Sequence, residues 1–253
     1  MKPTEENIRL LFLGRPADSA YTNMKTSIII PFYNEEKNVA SVLEEARRAN
    51  PDAEIIAVND GSSDQTQAMI RKCPDVRLVS FGCHLGQSAA LYTGLKLAQG
   101  EICVMMDGDG QSDPGDIPKL ISLLDRADLV CGRRYKRQDT WFRRSSSWGA
   151  NFIRRLVLHD GIHDTGCTLK AMRRADTRLL LPFDGLHRYL AVFFSRAGLR
   201  IIEVPVNHRP RKYGKSKYTV RERAIRGFYD LIGVRWLMTR KISWPKNGEN
   251  GEI

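Results

Sequence analysis

The residues best equipped for chemistry lie in one stretch, Ile102-Cys-Val-Met-Met-Asp107-Gly108-Asp109-Gly-Gln111. An apolar run ends in two carboxylates spaced two apart among glycines. Such a pair, leaving a strand on a tight turn, can converge on one hard cation. Mg2+ or Mn2+ suits it, because these ions take oxygen ligands and are usually held by one or two carboxylates plus substrate phosphates. Gln111 can add an amide oxygen or orient a water. The competing reading is an acidic turn that only caps the helix after Pro114. A calcium loop of the EF-hand type is disfavoured: its twelfth position would be Pro118, where a glutamate is needed. Further along, Arg133, Arg134, Lys136, Arg137, Arg143, Arg144, Arg154 and Arg155 crowd one segment, with Trp141, Phe142 and Trp148 between them. Asp164-Thr-Gly166 follows, and then a basic loop, Arg209-Pro-Arg211-Lys212-Tyr213-Gly214-Lys215-Ser216-Lys217.

Positioning these groups requires a frame, and the hydrophobic pattern supplies it. Ser27–Ile30 reads as a buried strand ended by Pro31, and Glu54–Val58 and Val76–Ser80 as two more. Strands into Asp107, at Leu129–Cys131, at Thr168–Met172 and at Arg200–Val206 complete the set. Asn38 is placed to cap a helix through Ala49, with Val39, Val42, Leu43 and Ala46 on one face. Asn59–Asp64 forms a turn and cap for the next helix. Gly86 opens a helix rich in small residues (Ala89, Ala90, Gly94, Ala98) able to lie close on a sheet, and Gly100 falls where a left-handed cap would end it. Helices at about 116–125, 187–197 and 219–240 follow. On the last, Ile225, Phe228, Tyr229, Ile232 and Trp236 share a face. Strands alternating with helices imply a mostly parallel α/β sheet with right-handed crossovers, whose ligands sit beyond the carboxyl ends of the strands. Pro31–Glu35, Asn59–Asp64 and Asp107–Gln111 all fall at those ends.

Composition bounds the partners. The chain has 253 residues and a formal net charge of +11, which calls for an anionic partner: nucleic acid, acidic lipid or a phosphorylated substrate. No apolar run is long enough to cross a bilayer, and Ile8–Leu13 is too short for a signal-peptide core. Five scattered cysteines without a CxxC pair fit reduced thiols. The expected location is the cytoplasm, peripheral on the cytoplasmic face of a membrane. Residues 1–25 read as an N-terminal extension, with Met24 as an alternative start. Residues 26–217 read as the catalytic domain, and 218–253 as a C-terminal amphipathic helix and tail.

The ordered set of motifs resembles glycosyltransferase family 2, inverting nucleotide-sugar enzymes with the GT-A fold. It comprises Pro31-Phe-Tyr-Asn-Glu35, Val58-Asn-Asp-Gly-Ser62, Gly86 through Gly100, Asp107-Gly-Asp-Gly-Gln111, Gly132-Arg-Arg-Tyr135, Asp164-Thr-Gly166 and Arg211-x-x-Gly-x-Ser-Lys217. The last element is similar to that of the dolichyl-phosphate mannose synthases and their bacterial polyprenyl-phosphate relatives. The resemblance implies that Pro31, Tyr33, Glu35, Asp60, Gly108 and Arg134 hold the nucleotide-sugar. It places Mg2+ or Mn2+ on Asp107, Asp109 and Gln111, phosphate or acceptor on Arg211 and Lys217, and a base or orienting carboxylate at Asp164. Two departures stand out: Asn59 where many members have Asp, and His84 where many have Asn.

The implied donor is GDP-mannose or a UDP-sugar and the implied acceptor a polyprenyl phosphate. A phosphate acceptor is already largely ionised near neutrality, since its second pKa is about 6. It then needs no strong base, whereas a saccharide hydroxyl does. A membrane surface, and a separate membrane protein, are further expected partners. The C-terminal helix either lies in a lipid interface or packs on the domain. A nucleic-acid-binding protein is the remote alternative. It lacks a helix-turn-helix, zinc or RNA-binding signature, and no nucleic-acid partner is expected.

Overall fold

The structure, a computed structural model, describes residues 24–134, 154–158, 161–211, 213 and 220–240; within 220–226 it describes the backbone alone. Seven strands form one sheet: β1 (Thr26–Phe32), β2 (Glu54–Asn59), β3 (Val76–Ser80), β4 (Ile102–Met105), β5 (Leu129–Arg134), β6 (Lys170–Arg173) and β7 (Ile201–Val206). Their order is β3-β2-β1-β4-β6-β5-β7. All neighbours pair in parallel except β6, which runs antiparallel between β4 and β5. The helices are α1 (Val39–Ala49), α2 (Thr66–Arg71), α3 (Gln87–Leu97), α4 (Ile117–Ile121), α5 (Leu186–Arg196) and α6 (Val220–Thr239).

Strands buried on both faces read as continuous apolar runs. Within β1, Ile29 enters a core with Leu91 and Leu95 of α3 and Leu190 and Phe194 of α5. Its neighbours Ile28 and Ile30 enter a second core with Val42 and Leu43 of α1 and Leu120 of α4. Gly94 explains how α3 lies so close: a Cβ there would stand 2.4 Å from Ile29 Cγ2. This fits the small-residue pattern of that helix.

Three local expectations are corrected. Pro31 does not end β1, which continues to Phe32 in register with Asn59. Its missing N–H faces the β4 side, where pairing has already stopped at Ile29↔Met105, so no ladder bond is lost. Asn38 makes no side-chain cap; its amide instead donates to Glu35 Oε2 at 2.5 Å. Gly100 is not left-handed. It is required for close approach, since a Cβ would stand 2.7 Å from the Lys25 carbonyl oxygen and the Ser27 nitrogen.

α6 packs inward through Leu231 and Val234, with Leu237 and Met238 against the same core. Phe228, Tyr229, Ile232 and Trp236 remain exposed. The helix therefore packs on the domain and still presents the apolar face singled out in its sequence.

Candidate active site

The three polar loops do meet along one rim. Tyr33 and Glu35 follow β1, Asp60 follows β2, and Asp107 follows β4. Because β2, β1 and β4 are consecutive in the sheet, these loops are adjacent in space. At Gly108 the turn presses against β1: a Cβ would stand 2.6 Å from the Pro31 carbonyl oxygen.

Asp107 and Asp109 are held by different partners. Gln87, in the first turn of α3, donates to Asp107 Oδ1 at 2.7 Å. Burial and the neighbouring Asp109 charge push the Asp107 carboxyl up to about 6, while the Thr168 hydroxyl, Lys170 and Arg134 pull it back. Asp109 Oδ1 accepts from the Gln111 backbone N–H at 3.0 Å, and Oδ2 from Arg211 at 2.5 Å. The same Arg211 guanidinium lies 3.5 Å from Glu35. A cationic fork thus stands on one of the two carboxylates expected to hold a metal. Two crowded carboxylates, one with a raised pKa and the other neutralised by a guanidinium, are the donor set that Mg2+ or Mn2+ satisfies with phosphate oxygens. Among the described residues no cluster of three or more His, Cys, Asp or Glu residues is arranged for a metal. Gln111 turns its amide toward the Arg209 carbonyl at 3.3 Å and His208 Nε2 at 3.4 Å.

Arg134, the last residue of β5, meets Asp164 through three donors. Its backbone N–H lies 3.2 Å from Asp164 Oδ2, its Nε 2.8 Å from the same oxygen, and its Nη2 2.7 Å from Oδ1. Burial alone would lower the guanidinium's pKa, but the Asp164 bonds and charge outweigh it and hold it above the usual arginine value. Glu203 on β7 anchors this turn, accepting the backbone N–H groups of His163 and Asp164 at 2.9 and 3.0 Å and His163 Nδ1 at 2.6 Å. A small open cleft of about 30 Å³ is lined by Asp107, Gln111, Arg134, Thr168 and His208. Asp107 and the β5 arginine therefore face one space, while Asp109 is held by Arg211. Beyond β7 the chain runs back across the rim: His208 bridges Ser112, and Arg209 pairs with Glu45 and Asp113 before Arg211 reaches Asp109.

The profile of Glycosyl transferase family 2 matches residues 27–180. The chain belongs to glycosyltransferase family 2. Among curated relatives of this glycosyltransferase is the dodecaprenyl-phosphate galacturonate synthase of Rhizobium johnstonii, 33% identical over 241 residues, covering 90% of this chain and 71% of that one. The undecaprenyl-phosphate 4-deoxy-4-formamido-L-arabinose transferase of Proteus mirabilis is 31% identical over 218 residues, covering 82% and 67%. Among solved structures, the glucosyl-3-phosphoglycerate synthase of Mycobacterium tuberculosis bound to Mn2+, UDP-glucose and phosphoglyceric acid superposes with a TM-score of 0.66. It is 20% identical and covers 89% of this chain and 85% of that one, a likeness of fold.

Of the residues expected from the sequence, Pro31, Tyr33, Glu35, Asp60, Asp107, Gly108, Asp109, Gln111, Arg134, Asp164 and Arg211 lie in the strand ends and loops of this rim. Lys217 lies outside the described residues. Asp60 caps no helix. Asp64 accepts from Thr66 N–H at 2.9 Å in that role, while Asp60 binds the loop after β3. Sequence reasoning missed Gln87, Thr168, Lys170, His187 and Glu203. Lys170 is buried on β6 and donates to the carbonyls of Cys167 and His187. His187 Nδ1 lies 2.9 Å from Ser88 Oγ. Burial, then the charges of Arg188 and Lys170, lower its pKa to about 3. Apart from the Cys167 carbonyl three residues before Lys170, their partners lie far away in sequence, so no local spacing announces them.

Proposed function

We propose that this glycosyltransferase moves a sugar, with inversion, from a nucleotide-sugar (GDP-mannose or a UDP-sugar) onto the phosphate of a polyprenyl phosphate. The observation that carries the reading is the meeting of an acidic pair with two guanidiniums, Arg134 and Arg211, at one rim. Departure of a nucleoside diphosphate builds charge on the leaving oxygen, and a preorganised fork of N–H donors stabilises it. Asp107 and Asp109 would hold Mg2+ or Mn2+, which when bound supplies further neutralisation of that diphosphate. Arg211, displaced from Asp109, would turn its fork to phosphate, together with Lys217.

Asp164 has both oxygens on Arg134, an arrangement that suits an orienting carboxylate better than a base. A phosphate acceptor, ionised on its own, matches such a site. The curated relatives named above are polyprenyl-phosphate enzymes by description, which supports the same acceptor class. A saccharide hydroxyl acceptor is the second reading, and it requires Asp164 to leave Arg134 and take a proton. No described helix is long and apolar enough to cross a membrane. The exposed Phe228, Tyr229, Ile232 and Trp236 supply a peripheral lipid contact instead, with or without a separate membrane protein.

A panel of nucleotide-sugars incubated with Mn2+ and a short polyprenyl phosphate tests the proposal. The expected product is a lipid-linked sugar monophosphate, absent in EDTA. Transfer to a saccharide hydroxyl with none to the lipid phosphate would overturn it.

A further inference from the structure

We infer that His84, rather than Asp60, reads the nucleobase of the donor, and that it selects bases carrying a ring N–H. This rests on the nucleotide-sugar reading above. Asp60 is buried and its oxygens are already in use. Oδ1 accepts from the backbone N–H groups of Leu85 at 2.8 Å and Gly86 at 3.2 Å. Oδ2 accepts from Gly86 at 3.0 Å and lies 2.8 Å from His84 Nδ1. The carboxylate serves the loop after β3 and is turned toward it.

That loop is clamped by a second, independent feature. Gly61 has φ +63°, and a Cβ on it would stand 2.2 Å from the Cys83 carbonyl carbon and 2.5 Å from the His84 nitrogen. Only glycine lets residues 83–84 cross so near. The imidazole itself lies flat on Tyr33, with ring centroids 3.8 Å apart and planes 13° from parallel. Its Nδ1 is thus fixed by Asp60 and its plane by Tyr33. The His84 side chain is 37% exposed, against 3% for Asp60. Nδ1 therefore points inward, and Nε2, on the far side of the ring, points outward.

In the imidazole tautomer that donates Nδ1–H to the Asp60 carboxylate, Nε2 is an acceptor. It faces solvent at the end of the sheet strand neighbouring β2. From β3, which carries the His84 loop, to the acidic pair after β4 is three strand spacings, roughly 14 Å, a span that a nucleotide bridges with its diphosphate at Asp107 and Asp109. An outward acceptor held in one plane takes the ring N–H of uracil or guanine. Cytosine and adenine present an acceptor at the matching ring position and would leave both lone pairs unpaired.

The test is calorimetric titration of UDP, GDP, CDP and ADP, each with Mn2+, into the wild type, His84→Ala and Gly61→Ala. In the wild type UDP and GDP should bind roughly tenfold or more tightly than CDP and ADP, the scale of one hydrogen bond with an unpaired alternative. His84→Ala should erase that difference while Mn2+-dependent diphosphate binding remains. Gly61→Ala should weaken discrimination with the imidazole still present. Equal binding of all four by the wild type, or discrimination that survives in His84→Ala, overturns the inference and leaves the glycosyltransferase reading standing. Failure of the wild type to bind any nucleoside diphosphate with Mn2+ overturns both.

Discussion

The two halves of the sheet solve the same problem differently. From β3 to β4 the rim is built from turns whose backbone amides are satisfied by nearby side chains, as Ser62 N–H is by Asn59 and Thr66 N–H by Asp64. From β6 to β7 it is built around cations held in advance, Arg134 by the Asp164 carboxylate and Lys170 by two backbone carbonyls. The first half would hold the invariant part of a donor. The second must present cations without letting them find the nearest carboxylate, and does so by pairing each in advance.

Breaking a pair in the second half should have the largest effect. Asp164→Asn leaves the Arg134 guanidinium without its anionic partner, and removing one member of a buried pair costs about 3–5 kcal/mol, measurable by urea unfolding. Transfer should fall at every pH with the profile unchanged in shape. A basic limb seen in the wild type and absent in this variant would promote the hydroxyl-acceptor reading. In the first half, Asp109→Asn leaves Arg211 the Glu35 carboxylate 3.5 Å away and relieves the repulsion on Asp107, so unfolding should change little while transfer falls roughly 10²–10³-fold, the scale for a group directed at developing charge. Mn2+ affinity by electron paramagnetic resonance should fall with it. Full activity in this variant would end the claim that the first half is chemical.

Gly100→Ala tests whether the first half depends on close backbone approach, and overpacking there should cost about 1–3 kcal/mol. The seam between the halves is His187 on Ser88. Its pKa is lowered from 6.5 to about 3. The unfolded chain therefore binds the extra proton first, and stability falls as pH drops below about 6.5 toward 3. His187→Asn should remove that share of the acid sensitivity in denaturation midpoints taken between pH 7 and 4. The smallest stability change, within about 0.5 kcal/mol, is expected for Ile232→Ser with Trp236→Ser on the exposed face of α6. Sedimentation with anionic vesicles at low salt should nonetheless weaken, and unchanged sedimentation would count against a lipid contact there.

The contrast also explains what the sequence revealed. Strands buried on both faces announce themselves as apolar runs, and all seven were legible, as was the convergence of the polar loops. The acidic pair and the rim arginines were legible by type. Their mutual pairing was not, because Arg211 and Asp109 lie 102 residues apart, and Arg134 and Asp164 lie 30 apart. Gly100 was assigned a turn's reason when its real constraint is a neighbouring strand. Pro31 looked like a stop because nothing local shows that β4 is one pairing too short to miss its N–H.

Lys170 carries a consequence for how this region comes apart. Among the described residues its ammonium donates to the carbonyls of Cys167 and His187, one from the turn beside Asp164 and one from the start of α5. If either segment detached alone, a buried cation would lose a ligand with no water to replace it. The turn and the helix should therefore open together or not at all. In hydrogen exchange the amides of 164–169 and of the first turns of α5 should report a single opening free energy, a cooperative unit fastened by one side chain.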